Sequence, residues 1–202
     1  MDKNGLRRRF FAEERRIYAF TNPAMLRLTF DKDDGSNPKL MTAARNYAER
    51  FAEFKAMKKG LLLYGDVGTG KSFAAACIVN YVIEQGFPAR FTNFAEIEKE
   101  KSIARLNRYD LLVLDDFATE RNTGYMNELV FAVIDSRVQS GLPMIVTTNL
   151  TADELKKTTD PERAKVLSRL LGACEPIKVD GDDRRRGQLR KDHNTVKAML
   201  GL

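Results

Sequence analysis

Eight consecutive residues, Gly65-Asp66-Val67-Gly68-Thr69-Gly70-Lys71-Ser72, fit the spacing G-x-x-x-x-G-K-[ST]. Glycines let a loop wrap an anion without Cβ clashes, with its amides pointing inward. Lys71 is the candidate for neutralising the β and γ phosphates of a nucleotide, and the Ser72 hydroxyl is the candidate Mg²⁺ ligand. Phe73 follows and adds a first-turn helix amide to the same field. A second stretch, Leu111-Leu112-Val113-Leu114-Asp115-Asp116, is an apolar run ending in two acids. Asp115 is the candidate for holding Mg²⁺ through its water shell, and Asp116 for polarising an attacking water. Read alone, this stretch is a weak signal, whose alternative is a strand end with capping acids.

Three further groups accompany these. Asn149, at the end of Thr147-Thr148-Asn149, is a short amide suited to orienting a water or touching a γ-phosphate. Its competing role is to cap the next helix, which Thr151 can do instead. Arg169, within Ser168-Arg169-Leu170, lies among Val166, Leu167, Leu170 and Leu171. Spacing alone favours a surface arginine on a helix whose other face is core. Arg184, Arg185 and Arg186 follow Asp182 and Asp183 and read as a solvated charge run.

The elements that must position these groups alternate between strand and helix. Residues 61–65, 89–92, 110–116, 144–148 and 177–179 read as short strands; the strong ones are continuous apolar runs, not alternating patterns. Helices are expected over 38–58, 71–84, 94–106, 123–140, 153–157 and 162–171. Asn37-Pro38 is a helix start with cap and Pro in place. Part of 6–19 is expected to be helical, 26–30 extended, and 184–200 a helix or tail. Apolar strands alternating with helices imply a parallel sheet covered on both faces. The phosphate loop and the two acids then fall at the carboxyl edge of that sheet, where ligands bind.

The 202 residues allow one domain with a full core. No apolar run approaches the roughly 20 residues of a membrane span, and the first residues lack a signal-peptide core. A cytoplasmic location is therefore expected. Cys77 and Cys174 lie far apart, outside metal-ligand spacing, and read as buried thiols. The single His193 excludes a His-rich metal site. The net charge of +6 comes from the two ends: residues 1–20 and 181–202 each carry six Lys/Arg against three Asp/Glu. Such ends suit nucleic acid phosphates, or are simply solvated.

In order and in kind, GLLLYGDVGTGKS, LLVLDDF, IVTTNL, VLSRLL and GDDRRR resemble the AAA+ ATPases. Within them they resemble the DnaC/IstB-like group of helicase loaders and transposition helper ATPases. The resemblance spans about 25–186, leaving a basic segment 1–24 before the ATPase core and a basic tail or helix 187–202 after it. It implies a three-layer P-loop NTPase core with a parallel five-stranded sheet. It implies ATP and Mg²⁺ bound by Gly65 to Phe73 with Asp115, Asp116 as the catalytic acid, and Asn149 as sensor 1. Arg169 resembles the arginine finger, acting on ATP held by a neighbouring subunit, so the active form would be a homo-oligomer with ATP at the interface. Arg185 is the choice for sensor 2, with Arg184 and Arg186 open by one register step. Single-stranded DNA and a replicative helicase or transposase are the implied partners, with no membrane. In the family a helicase-gripping domain usually precedes the core, whereas 64 residues precede the loop here. Extra helical structure usually stands where 93–109 leaves room for one helix. Outside the family, the alternatives are a small-molecule P-loop kinase and a nucleotide-gated binding module with little turnover.

Overall fold

The computed structural model describes residues 16–100, 102–119, 123–181, 183, 193 and 195–200. A helical turn over 16–19 leads to Phe20, which bridges Phe91. Two 3₁₀ turns follow, Pro23–Arg27 and Phe30–Lys32. The chain then runs through α1 (Pro38–Glu49), α2 (Phe51–Ala56), β1 (Gly60–Tyr64), α3 (Lys71–Glu84), β2 (Ala89–Thr92) and α4 (Phe94–Ile97). A 3₁₀ stretch, Ile103–Arg108, precedes β3 (Leu111–Phe117) and α5 (Gly124–Ser140). It is followed by β4 (Met144–Thr148), α6 (Ala152–Lys156), α7 (Pro161–Ala173) and β5 (Cys174–Lys178).

The five strands form one parallel sheet in the order β2-β3-β4-β1-β5. Period-two alternation sends Leu61, Leu63, Leu111, Val113 and Ile145 into the core on one face, and Leu62, Leu112, Leu114, Met144 and Val146 into that on the other. The first face is covered by α1 and α3, through residues such as Leu40, Ala44, Tyr47 and Ile78. The second is covered by α5 and α7, through Val130, Ile134, Val166, Leu167 and Leu170. The expected three-layer α/β/α architecture is therefore present. Both faces being buried explains why the strong strands read as unbroken apolar runs. No described helix is long and apolar enough to cross a membrane. Cys77 and Cys174 are buried and not disulfide-bonded, and burial pushes the Cys174 thiol up to about 12, as befits a packing residue.

Local departures from the sequence reading have identifiable partners. Residues 26–30 are extended only at Leu28 and Thr29, between two 3₁₀ turns, and side chains collect the carbonyls there. The Asn80 amide donates to Met25 O at 3.1 Å and Leu28 O at 2.9 Å, and Arg16 donates to Leu26 O at 3.0 Å. The single helix expected over 94–106 is instead α4 and a 3₁₀ stretch. Arg137, on α5 and wholly buried, donates to Leu106 O at 3.4 Å and Tyr109 O at 2.8 Å. That pulls the 3₁₀ stretch across α5. The helix expected over 38–58 breaks at Arg50 (φ −102°, ψ 22°), although Tyr47, Phe51 and Phe54 still pack together. The last strand begins at Cys174, because its backbone pairs with β1 from Gly60 onward.

Candidate nucleotide-binding site

β1 ends at Tyr64, and the Gly-rich loop leaves the carboxyl edge of the sheet to enter α3 at Lys71. Gly65 takes φ 132°, and a Cβ there would lie 2.5 Å from Val179 O. Only glycine lets the loop turn this close to the chain leaving β5. Gly70, at φ 99°, is the left-handed residue before α3. Thr69 is buried and its hydroxyl donates to Asp66 O at 2.9 Å, tying the loop to itself. Lys71 is 5% exposed, and its ammonium donates to Gly65 O at 2.7 Å and Asp66 O at 2.6 Å. The cation is thus held within the loop that its sequence position assigns to phosphate. Val67 is exposed at the loop tip, and Phe73 packs against the core.

β3 reaches the same edge beside this loop. Its pairing with β4 shifts between Leu114 and Phe117: three steps on β3 match two on β4, from Val146 to Thr148. The extra residue makes a β-bulge, which bends the strand and re-aims its side chains. Asp116 takes φ 56° within the bulge and is exposed. One hydroxyl fixes the arrangement. Thr147 Oγ1 accepts from the Asp116 amide at 2.9 Å and donates to Asp115 Oδ1 at 2.7 Å. Burial raises the Asp115 carboxyl above its ordinary value. Hydrogen bonding from Thr147 and Ser72 opposes that shift, the charge of Asp116 adds to it, and Lys71 offsets it. Ser72 and Asp115, from the loop and from β3, therefore meet. Their hard oxygens suit Mg²⁺, which keeps several waters and takes one or two carboxylates with phosphate oxygens. Among the described residues no cluster of three or more His, Cys, Asp or Glu is arranged to hold a metal.

β4 supplies the third strand end. Thr148 Oγ1 donates to Phe117 O at 2.7 Å and accepts from the Leu150 amide at 3.2 Å. Thr151 caps α6 in a reciprocal capping box with Glu154. Both threonines and the cap are thus committed. Asn149, half-buried, follows Thr148 at the strand tip, and its side chain makes no hydrogen bond among the described residues.

Arg169 does not join this group. It lies on α7, on the sheet face opposite α3, where its Nε donates to Asp135 Oδ1 at 2.5 Å. Its guanidinium stacks over the Phe131 ring at 4.7 Å. Arg185, with Arg184 and Arg186, lies outside the described residues. Two contributors escaped the sequence reading. In the sequence Thr147 stands out only as part of the Asn149 motif; its signal is a hydroxyl one strand over from the acids. Asp183 precedes the arginine charge run in sequence, yet its carboxylate lies against the loop: a Cβ on Gly68 would meet Asp183 Oδ1 at 1.9 Å.

The chain is similar to known proteins. The family model for IstB-like ATP-binding proteins matches residues 14–192. The replicative helicase loader DnaI of Bacillus subtilis is 26% identical over 184 residues, covering 80% of this chain and 59% of its own. An insertion-sequence ATP-binding protein of Mycobacterium tuberculosis is 27% identical over 170 residues, covering 77% and 66%. The helicase loader DnaC of Escherichia coli is 26% identical over 130 residues, covering 58% and 52%. The chain thus spans about half to two-thirds of the length of these curated relatives. Among solved structures, DnaI superposes with a TM-score of 0.67 at 21% identity, covering 85% of this chain and 99% of that one. AMPPCP-bound DnaA from Aquifex aeolicus superposes at 0.59 and 18%, covering 85% and 55%. These likenesses establish the AAA+ fold. The family match spans most of the chain: the chain belongs to the IstB-like ATP-binding protein family.

Proposed function

We propose that this chain binds ATP with Mg²⁺, hydrolyses it, and works as a homo-oligomer with ATP at the subunit interface. The observation carrying this reading is the meeting of Lys71, Ser72, Asp115 and Thr147 at one edge of the sheet. Lys71 leaves the loop carbonyls to neutralise the β and γ phosphates. Ser72 and Asp115 hold Mg²⁺, which when bound supplies charge neutralisation across the phosphates. Asp116, exposed at the bulge, accepts the proton of the attacking water. Asn149, with its amide uncommitted, orients that water. Arg169 reaches the nucleotide of the neighbouring copy, and Arg185 contacts the nucleotide from the segment after β5.

The biological setting we infer is DNA replication, with the protein acting as a helicase loader on a replicative helicase and single-stranded DNA. It rests on relatives named as helicase loaders. A second setting, as helper to a transposase, is favoured by the family model and by the insertion-sequence relative. Phosphate release by the pure protein without an added acceptor tests the chemistry and separates it from a small-molecule kinase. Asp116→Asn should retain ATP binding and slow release by about 10²-fold or more. An unchanged rate removes Asp116 from the water-activating role. Co-migration with a replicative helicase or with a transposase then separates the two settings.

A further inference from the structure

The face of α5 that meets α7 carries a set of groups that none of the motifs contains. Phe131, Asp135 and Gln139 stand at i, i+4 and i+8, so they line one stripe of that helix. Asp135 has both carboxylate oxygens engaged. Oδ2 accepts from Gln139 Nε2 at 2.6 Å and Oδ1 accepts from Arg169 Nε at 2.5 Å. Phe131 supports the flat face of the same guanidinium at 4.7 Å. Nε and the guanidinium plane of Arg169 are therefore fixed by its own chain. Neither Nη makes a hydrogen bond among the described residues, and the side chain is 36% exposed. A planar fork with one edge anchored and two Nη groups left over is pre-organised for an oxyanion.

That oxyanion is not the one this chain's own loop serves. Arg169 lies on the sheet face opposite α3. It precedes Cys174 by five residues, and Cys174 pairs with Gly60 at the amino end of β1, whereas the loop leaves the carboxyl end. The fork is partly exposed on that face, so the anion it suits is one brought by another molecule.

We propose that Asp135, itself oriented by Gln139 and assisted by the Phe131 ring, is the positioning residue that presents Arg169 to a nucleotide phosphate bound by a second copy of this chain. The proposal rests on the shared-site reading above. Asp135 never touches the nucleotide; it fixes the plane and direction of the group that does. Without it the guanidinium samples many rotamers, and productive contact with the phosphate becomes rare.

The test mixes two kinds of subunit. Receivers carry Arg169→Ala, so they bind ATP and offer no arginine. Donors carry Asp116→Asn, so they bind ATP and assemble but hydrolyse slowly. Donors with Asp135 intact should restore turnover to receivers. Donors with Asp135→Ala should restore a kcat about ten- to hundredfold lower, at unchanged KM. Donors with Asp135→Asn, which keeps the shape and an acceptor oxygen, should fall between. Placing Asp135→Ala on the receiver should change nothing further, although any structural tether is lost there equally. Full restoration by Asp135→Ala donors, or an equal loss whichever subunit carries it, overturns the positioning role and leaves the shared site standing. No restoration even by donors with Asp135 intact overturns the shared site and this proposal together. Melting temperatures of both Asp135 variants report folding independently of turnover.

Discussion

Replacing Thr147 by valine removes one hydroxyl from a side chain that is wholly buried at the end of β4. If that hydroxyl were idle, a nearly isosteric and more apolar side chain would leave stability unchanged or raise it. The structure predicts the opposite sign. The Asp116 amide loses its acceptor at 2.9 Å, and an unsatisfied donor of this kind costs about 1–3 kcal/mol. The Asp115 carboxylate loses a donor at 2.7 Å, a charge-assisted bond worth about 1.5–3 kcal/mol. The two losses share one group and do not add fully, so we expect a destabilisation of about 2–3 kcal/mol, or roughly 4–12 °C in melting temperature for a domain of this size. A second readout follows from protonation. Burial already lifts the Asp115 carboxyl, and Thr147 is the first of the hydrogen bonds that hold it down. The folded chain therefore binds more protons at this site than the unfolded chain. Its contribution to stability is full below the ordinary carboxylate range and declines as pH rises through the raised value. Thr147→Val should move the end of that decline to higher pH. Because Mg²⁺ needs the deprotonated carboxylate, half-maximal ATP hydrolysis should require more Mg²⁺, and the deficit should shrink as pH rises. Calorimetric melting across pH and a Mg²⁺ titration of turnover measure both effects. An unchanged melting temperature together with an unchanged Mg²⁺ dependence would refute the reasoning.

Lys71→Ala should weaken ATP binding by at least tenfold, read by titration calorimetry, because the principal phosphate cation is removed; wild-type affinity would dismiss the loop as the phosphate site. Arg137→Met should lower stability by about 3 kcal/mol or more in chemical denaturation, because the carbonyls of Tyr109, Asp110 and Pro143 lose donors at 2.8, 3.0 and 2.8 Å. A loss under 1 kcal/mol would show that waters replace it. Asp183→Asn should tighten ATP binding several-fold, because its carboxylate lies against Gly68 where phosphate charge arrives; unchanged or weaker binding would show that Asp183 leaves the loop when nucleotide enters.

The parts of the fold legible in the sequence are those set by local pattern. The loop glycines, the apolar strands and the caps at Asn37 and Thr151 each act within a few residues, and each stands where the pattern puts it. What escaped depends on contacts between distant segments. The Asp115–Asp116 bulge is fixed by a hydroxyl 31 residues away, so no property of Leu-Asp-Asp foretells that the acids diverge. The 3₁₀ turns of 23–32 follow from Asn80 and Arg16, which a reading of Leu26, Leu28 and Phe30 as an alternating pattern does not see. Arg169 looked like a surface arginine because its partners, Phe131 and Asp135, lie on another helix. Their i, i+4 spacing was visible, but their meeting with α7 belongs to tertiary packing.

The most direct test of the central claim is ATP turnover per subunit by the pure protein, measured across a protein concentration series with and without single-stranded DNA. An assembling ATPase that acts on DNA predicts turnover that rises with concentration and rises further with DNA. Turnover that stays flat in both would contradict it, leaving an ATP site whose chemistry needs neither a second copy nor DNA.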